Sequence, residues 1–185
     1  MKRLMISVLA VMIVLYGCSE NTTQTQPSLS KEGIQIELSN ETITVEGETI
    51  TSDVSQAVYC ANDIVYYEAG KDFTYGEGNE EDQHSENEAL SHQVVHITKP
   101  GTYEVSGTLS QGQIAIDLGK DAKDNPDAVV NLILNHVDIT CAVAPAIIFY
   151  QVYECGDNSE ENASKDVDTS KAGANVIIAD DSINN

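Results

Sequence analysis

Short runs of aliphatic residues, many of them β-branched and each closed by a turn, fill the chain between residues 94 and 154. The runs read VVHITKPGTYEVSG, GQIAIDLGKDAKDNPDA, VVNLILNHVDIT and APAIIFYQVYE, with no helical periodicity between them. Glycine, proline, asparagine and aspartate at their ends are typical of turns between strands. The pattern predicts an all-β architecture in which similar strand and turn units lie side by side.

The preceding segment continues this pattern. Between residues 33 and 51, aliphatic and polar residues alternate on either side of a polar Ser39-Asn40 turn, which predicts half-buried strands. Residues 57–67 are similar and contain three of the eight tyrosines. They are interpreted as the first coil of the stack or as a cap over its end.

One position inside the repeating body interrupts the alternation. Residues 130, 132 and 134 share one phase, whereas Val137 and Ile139 share another. We expect a corner at Asn135-His136, where an asparagine tolerates left-handed backbone. The last strand, predicted for residues 176–179, would leave an open edge, so we expect that the natural chain continues or that another chain covers it.

Two acidic, polar segments interrupt the β-rich body, at about residues 69–92 and 156–173. Neither contains a run of aliphatic residues. A framework of repeating units tolerates insertions at its turns, because each unit contacts only its neighbours. We interpret both segments as surface insertions.

The N-terminus has the organisation of an export signal. Lys2 and Arg3 precede an apolar run over residues 4–15, and residues 15–18 read LYGC. This tetrad resembles the lipobox of bacterial lipoproteins, in which the cysteine becomes the lipidated first residue. The interpretation is a signal peptide over 1–17, a lipidated polar tether over 18–31 that begins with Cys18, and a β-rich domain over 32–185. The protein would be exported and anchored by lipid to the outer face of the cell membrane.

Charge excludes one class of partner. The formal net charge is −21, and removal of the signal peptide would leave no arginine. Because nucleic-acid binding depends on basic patches, we predict no nucleic-acid partner, and contact with a membrane only through the lipid anchor.

Cys60, Cys141 and Cys155 remain beside Cys18, so at most one disulfide could form among these three. Each of them is also compatible with a small buried side chain.

Five segments together resemble bacterial carbohydrate-binding domain-containing proteins. They are ITVEGETI at 43–50, residues 94–118, VVNLILNHVDIT at 129–140, APAIIFY at 144–150 and ANVIIAD at 174–180. The resemblance implies a right-handed parallel β-helix, here incomplete at its C-terminus, that binds plant cell-wall polysaccharides such as cellulose and polygalacturonate. It implies polysaccharide binding without catalysis at the bacterial cell surface.

Aromatic residues are the first candidates for glycan contacts, because sugar rings are usually held by aromatic faces and a few polar groups. The sequence has no tryptophan. Aromatic residues in strands are also ordinary core residues, so each candidate has a structural alternative. The candidates are Tyr66, Tyr67, Tyr75, Tyr150 and Tyr153.

An acidic glycan would be repelled by this chain unless a divalent cation lay between them. Calcium prefers carboxylate and carbonyl oxygens, and the resemblance implies an association with calcium. The candidate ligands are Asp117, Asp121, Asp124 and Asp138, although the spacing of an EF-hand loop is absent. A solvated acidic loop is the alternative interpretation of the same residues.

Two other functions stay open at this point. One is a structural or adhesive surface module whose acidic loops contact a protein partner. The other is a degenerate polysaccharide lyase, because parallel β-helices also carry lyases. Lys99, Lys120 and Lys123 would be the available bases, and each lies in a predicted turn. No HExxH or GxSxG motif is present, so the sequence favours a protein that is not an enzyme.

Overall fold

The computed structural model describes residues 33–76, 80–155 and 169–185. The predicted signal peptide and tether lie outside the described residues, as does most of the second acidic insertion. Within these ranges, no helix is long and apolar enough to cross a membrane.

The described residues are mostly β, as the alternating pattern predicts. The single α-helix among them, α1, covers Glu86–Leu90, and short 3-10 helices cover Glu80–Asp82, Ala122–Asp124 and Thr169–Lys171. The strands are β1 Ile34–Leu38, β2 Thr44–Val45, β3 Glu48–Thr49, β4 Val58–Ala61, β5 Gln93–Ile97, β6 Gly101–Leu109, β7 Gly112–Asp117, β8 Val130–Ile139, β9 Ile147–Gln151 and β10 Ala174–Ile178.

From β5 onward the chain alternates between two sheets. The first sheet has the order β10-β8-β6-β1-β2-β3, and the second has the order β4-β5-β7-β9. Strands β6, β8 and β10 are parallel to one another, and so are β5, β7 and β9. Each passage through both sheets therefore adds one parallel strand to each of them.

The first four strands close one end of this arrangement. Strand β1 pairs parallel with β6, but β2 and β3 fold back as antiparallel strands beyond it. Strand β4 pairs antiparallel with β5 in the other sheet. Within residues 57–67, strand β4 therefore matches the cap interpretation more closely than a first regular coil.

Aliphatic side chains stack in rows across the parallel strands and form one core between the two sheets. In the first sheet Ile36, Val105 and Leu134 are in register, and in the second sheet Val95, Ile114 and Ile147 are in register. All six belong to the same hydrophobic cluster or pack against it. Burial of one such side chain contributes about 1.5–3 kcal/mol, so the rows are the main source of stability.

Tyr103 is the largest fully buried side chain in this core. Its hydroxyl donates a hydrogen bond of 2.9 Å to the carbonyl oxygen of Lys99, in the turn before β6. Burial raises the pKa of Tyr103, because the phenolate would lose its hydration. A polar tip that reaches a turn carbonyl allows the ring to fill the core without an unsatisfied hydroxyl.

The expected corner at Asn135-His136 is wrong. Strand β8 continues from Val130 through Ile139, and its register with β6 shifts between Val105 and Gly107. His136, and not the asparagine, has a positive φ of 57°. A bulge of this kind turns Val137 back to the core face after Leu134, which explains the change of phase in the sequence.

The first acidic insertion, residues 69–92, contains local structure that the sequence did not predict. Ser85 caps α1: its hydroxyl accepts a hydrogen bond from the Glu88 amide, and the Glu88 carboxylate accepts one from the Ser85 amide. This capping box satisfies two helix N-terminal donors and lets a five-residue helix form before β5.

We predict that Gly107→Ala destabilises the protein more than Gly47→Ala does. Both glycines have positive φ, 96° at Gly107 and 81° at Gly47. A Cβ at Gly107 would overlap the carbonyl oxygen of Leu38, whereas a Cβ at Gly47 would meet no atom within 4 Å. We expect a loss of about 1–2 kcal/mol at Gly47 from backbone strain alone, and about 2–5 kcal/mol at Gly107.

Urea unfolding followed by circular dichroism measures both changes. Equal losses for the two variants would contradict the close approach of β6 to β1.

Candidate functional site

A segment between β4 and the first insertion lies across the outer face of the second sheet. We call residues 62–67 the strap. Its Ile64 and Val65 pack against a small apolar cluster on that face, made of Val94, Ala115 and Ile148. Strand β7 is therefore covered on both faces, by the core on one side and by the strap on the other.

Gln113 of β7 holds the strap in place. Its side chain is fully buried, with 0% exposure. The amide nitrogen donates to the carbonyl oxygens of Val65, at 2.8 Å, and Pro145, at 2.9 Å, and the amide oxygen accepts from the Val65 N–H at 2.9 Å. A buried amide with all these partners fixes the strap without an uncompensated polar group.

Two buried histidines support the same region. The imidazole of His96 stacks on Tyr59, with ring centroids 4.4 Å apart, and its Nε2 lies 2.7 Å from the Asp63 carboxylate in the strap. Burial, followed by the charges of Asp63 and Asp117, raises the pKa of Tyr59. His92 accepts at Nε2 from the Ala142 N–H, and its Nδ1 contacts the carbonyl oxygen of Glu88 at 2.7 Å. These contacts give both histidines a structural role.

The strap ends in two adjacent tyrosines with opposite environments. Tyr66 is 6% exposed, its hydroxyl has no hydrogen-bond partner among the described residues, and burial raises its pKa. Tyr67 is 51% exposed. Both meet Tyr75 edge to face, at 5.3 Å and 5.5 Å, and the Lys71 ammonium lies 4.5 Å from the centre of the Tyr75 ring. Tyr66 therefore anchors a cluster that presents Tyr67 to solvent.

Tyr67 lines an open groove with residues from β9 and the β7–β8 loop. We call this the tyrosine–lysine groove. Its volume is about 270 Å³. The lining residues are Tyr67, Ala69, Lys120, Lys123, Tyr150, Gln151 and Glu154.

The groove combines apolar ring surface with positive charge. Two tyrosines line it, and among its lining residues two lysines stand against a single carboxylate, that of Glu154. The whole chain has a net charge of −21, so this local balance differs from the rest of the molecule. Such a groove can hold a ring-shaped ligand that carries a negative group.

The structure brings together some of the predicted aromatic residues. Tyr67 and Tyr150 line one groove although 83 positions of sequence separate them, and Tyr66 and Tyr75 pack behind Tyr67. Tyr153 is not among the lining residues. Its backbone hydrogen-bonds to Ala128 and Gly173, next to the start of β10.

The predicted calcium ligands are divided between two places. Asp117, at the end of β7, accepts a hydrogen bond from the Gly119 N–H, and Asp121 and Asp124 lie in the loop that follows. Asp138 lies near the other end of β8 and accepts from the Asn185 amide at 3.1 Å. Among the residues that the structure describes, no group of three or more His, Cys, Asp or Glu side chains is arranged to hold a metal ion.

A larger cavity of about 590 Å³ lies at the first insertion, but its chemistry is different. Glu81, Asp82 and Glu88 line it, with the apolar turn 142–145 opposite. An acidic wall disfavours anionic ligands.

The three cysteines in the described ranges, Cys60, Cys141 and Cys155, are free, and burial raises the pKa of the Cys60 and Cys141 thiols.

Sequence reasoning did not assign Lys120 and Lys123 to ligand binding, because it considered them only as catalytic bases. It also missed Gln113. The alternating pattern predicts that Gln113 lies in a strand, but it does not indicate which segment covers the outer face of that strand. A signal for the lysines was available, since they are the two cations in an otherwise acidic loop next to β7.

A comparison with known families assigns this region. The family model described as "Carbohydrate-binding domain-containing protein" matches residues 91–184, half of the chain. The chain therefore belongs to the family of carbohydrate-binding domain-containing proteins. No curated protein and no solved structure gives a significant match. The matched residues include β5 to β10 and the Lys120, Lys123 and Tyr150 side of the groove, whereas the strap with Tyr67 precedes them.

We predict that Gln113→Leu releases the strap. The variant leaves the Val65 N–H and C=O and the Pro145 C=O without partners, and each unsatisfied buried group costs about 1–3 kcal/mol. Hydrogen exchange at the Val65 amide should accelerate more than exchange at the core strands. Gln56→Leu, at an exposed position, is the matched control and should leave Val65 exchange unchanged. Unchanged exchange in Gln113→Leu would contradict this role.

Proposed function

We propose that the protein binds plant cell-wall polysaccharide without catalysis, and that the tyrosine–lysine groove is the binding site. Carbohydrate binding follows from the family. The assignment to this groove depends on one observation: Tyr67 and Tyr150 are placed together beside Lys120 and Lys123. The rings would stack on sugar faces, and the polar groups would orient the chain of sugars.

An acidic polysaccharide such as polygalacturonate fits this groove best. The lysine ammonium groups can pair directly with uronate carboxylates, which offsets part of the repulsion from the acidic remainder of the protein. Charge pairs at an open groove are screened by salt, so this contribution should fall as ionic strength rises.

Calcium offers a second way to hold the same ligand. Asp117 ends β7, and Asp121 and Asp124 lie on the β7–β8 loop, which also carries both groove lysines. A calcium ion bound by carboxylates of that loop could bridge to a uronate oxygen. This alternative is favoured only by the position of the loop, because the described carboxylates do not converge on one point.

The fold that we propose for the whole domain is a right-handed parallel β-helix. Its support is the regular alternation of β5 to β10 between two sheets, with parallel pairing inside each sheet. Parallel strands joined by crossovers are right-handed in nearly all proteins. We further propose lipidation at Cys18, which would hold the domain at the outer face of the cell membrane.

We predict that Tyr67→Ala and Tyr150→Ala each weaken polygalacturonate binding about 3- to 10-fold, because each removes one stacking surface.

Lys120→Gln combined with Lys123→Gln should weaken polygalacturonate binding and reduce its salt dependence. Lys99→Gln, at the turn before β6 and not among the residues that line the groove, removes one lysine charge elsewhere and is the charge-matched control for Lys120→Gln and Lys123→Gln made singly. Affinity electrophoresis in gels containing polygalacturonate measures all variants. Equal retention of wild type and all groove variants would contradict the site.

We predict that a chelator leaves this binding intact when the lysines are the main anion partners. The measurement is polygalacturonate retention in EDTA, compared with retention in added calcium. Loss of retention in EDTA would favour the calcium alternative, and Asp121→Asn and Asp124→Asn should then reproduce the loss without EDTA.

A further inference from the structure

We propose a second ligand site, a pocket at the N-terminal ends of β5 and β7 that binds an uncharged sugar residue through its hydroxyl groups. This inference rests on the proposed polysaccharide-binding function and extends it. We call this site the amide pocket, and its volume is about 290 Å³. Its lining residues are Asn40, Ser91, Gln93, Leu109, Ser110 and Gln111.

The lining of the amide pocket has a composition that is unusual for this chain. Three side-chain amides, two hydroxyls and one leucine surround the space, and no charged side chain lines it. The whole sequence contains 30 acidic residues. Amides and hydroxyls each offer both donors and acceptors, which is the complement that sugar hydroxyls require. An uncharged pocket of this kind favours a neutral sugar over a uronate.

Gln93 provides an independent indication. It occupies the same phase of β5 as Val95 and Ile97, which belong to the core. The sequence pattern calls for an aliphatic side chain at this position, yet an amide is present. Its Oε1 atom is buried and has no hydrogen-bond partner in the part of the chain that the structure describes. An unsatisfied acceptor is unfavourable for stability. The Oε1 atom is shielded from solvent in this conformation, and a turn of the Gln93 amide toward the pocket would let a ligand hydroxyl donate to it and remove that cost.

The pocket is held open by contacts within its own wall. Asn40 and Ser110 are joined twice: the Asn40 amide donates to the Ser110 hydroxyl at 3.1 Å, and the Ser110 N–H donates to the Asn40 amide oxygen at 2.8 Å. The Gln93 N–H donates to the Gln111 carbonyl at 3.0 Å, and the Ser91 hydroxyl donates to the Glu88 carbonyl at 2.7 Å. A wall ordered before binding reduces the entropy that a ligand must overcome.

The amide pocket and the tyrosine–lysine groove share no residue. The pocket adjoins the first residue of β7, whereas the groove uses the loop after its last residue, Asp117. A six-residue strand spans about 20 Å, so the two sites lie at opposite ends of β7. Variants at one site should therefore leave the other unchanged.

The test is a titration of the ¹⁵N-labelled full chain with cellotetraose, which is neutral, and in parallel with trigalacturonate. We expect cellotetraose to shift the side-chain NH₂ signals of Asn40, Gln93 and Gln111, and trigalacturonate to shift signals around Tyr67 and Tyr150. If trigalacturonate binds at the groove but cellotetraose shifts no amide-pocket signal, this inference fails and the proposed function stands. If neither saccharide binds, both fail.

Gln93→Leu separates a binding role from a structural one. Leucine removes the unsatisfied acceptor at similar size, so we expect the melting temperature to rise by roughly 2–4 °C while the cellotetraose shifts at Asn40 and Gln111 are lost. Tyr67→Ala should retain these shifts. A lower melting temperature with unchanged shifts would overturn the assignment.

Gln111→Ala provides a second variant that does not alter the core. Its side chain is exposed and its backbone carbonyl bond to Gln93 is retained. We expect weaker cellotetraose binding at unchanged melting temperature. Full binding by this variant and by Gln93→Leu together would exclude the amide pocket.

Discussion

The register between parallel strands is the constraint on which this structure depends. Because side chains alternate with a period of two, a slip of one residue would move every core residue of a strand to the outer face. The aligned rows of Ile36, Val105 and Leu134 and of Val95, Ile114 and Ile147 prevent such a slip. The bulge at His136 preserves the same rule, since it returns Val137 to the core.

A scaffold with a fixed register gives its loops fixed starting points, and the candidate ligand sites are found there. The strap follows β4, and the β7–β8 loop follows β7. They meet at one groove because the strap crosses the outer face of the second sheet, in which β7 lies between β5 and β9. The side-chain amide of Gln113 anchors the strap to β7 through hydrogen bonds to the Val65 backbone. The exposed tyrosine at the end of the strap is thereby tied to the most buried strand of the sheet.

Three recesses on one small domain differ in electrostatic character. The cavity at the first insertion is acidic, the amide pocket is uncharged, and the tyrosine–lysine groove has more lysines than carboxylates. Because overall repulsion disfavours anionic ligands on a chain of net charge −21, a local pair of lysines has a large influence on where such a ligand can bind. Net charge alone therefore does not identify the preferred ligand of this protein.

The sequence by itself determined the all-β class and the strand segments from 94 to 150, because these follow from local alternation and turn chemistry. It also placed Tyr67 and Tyr150 among the candidates. Only the tertiary structure decided that these two tyrosines share a groove with Lys120 and Lys123, that Tyr66 is buried and that Asp138 is far from Asp117. Such outcomes depend on which strands become neighbours, and pairing between distant segments leaves no periodic signal in the chain.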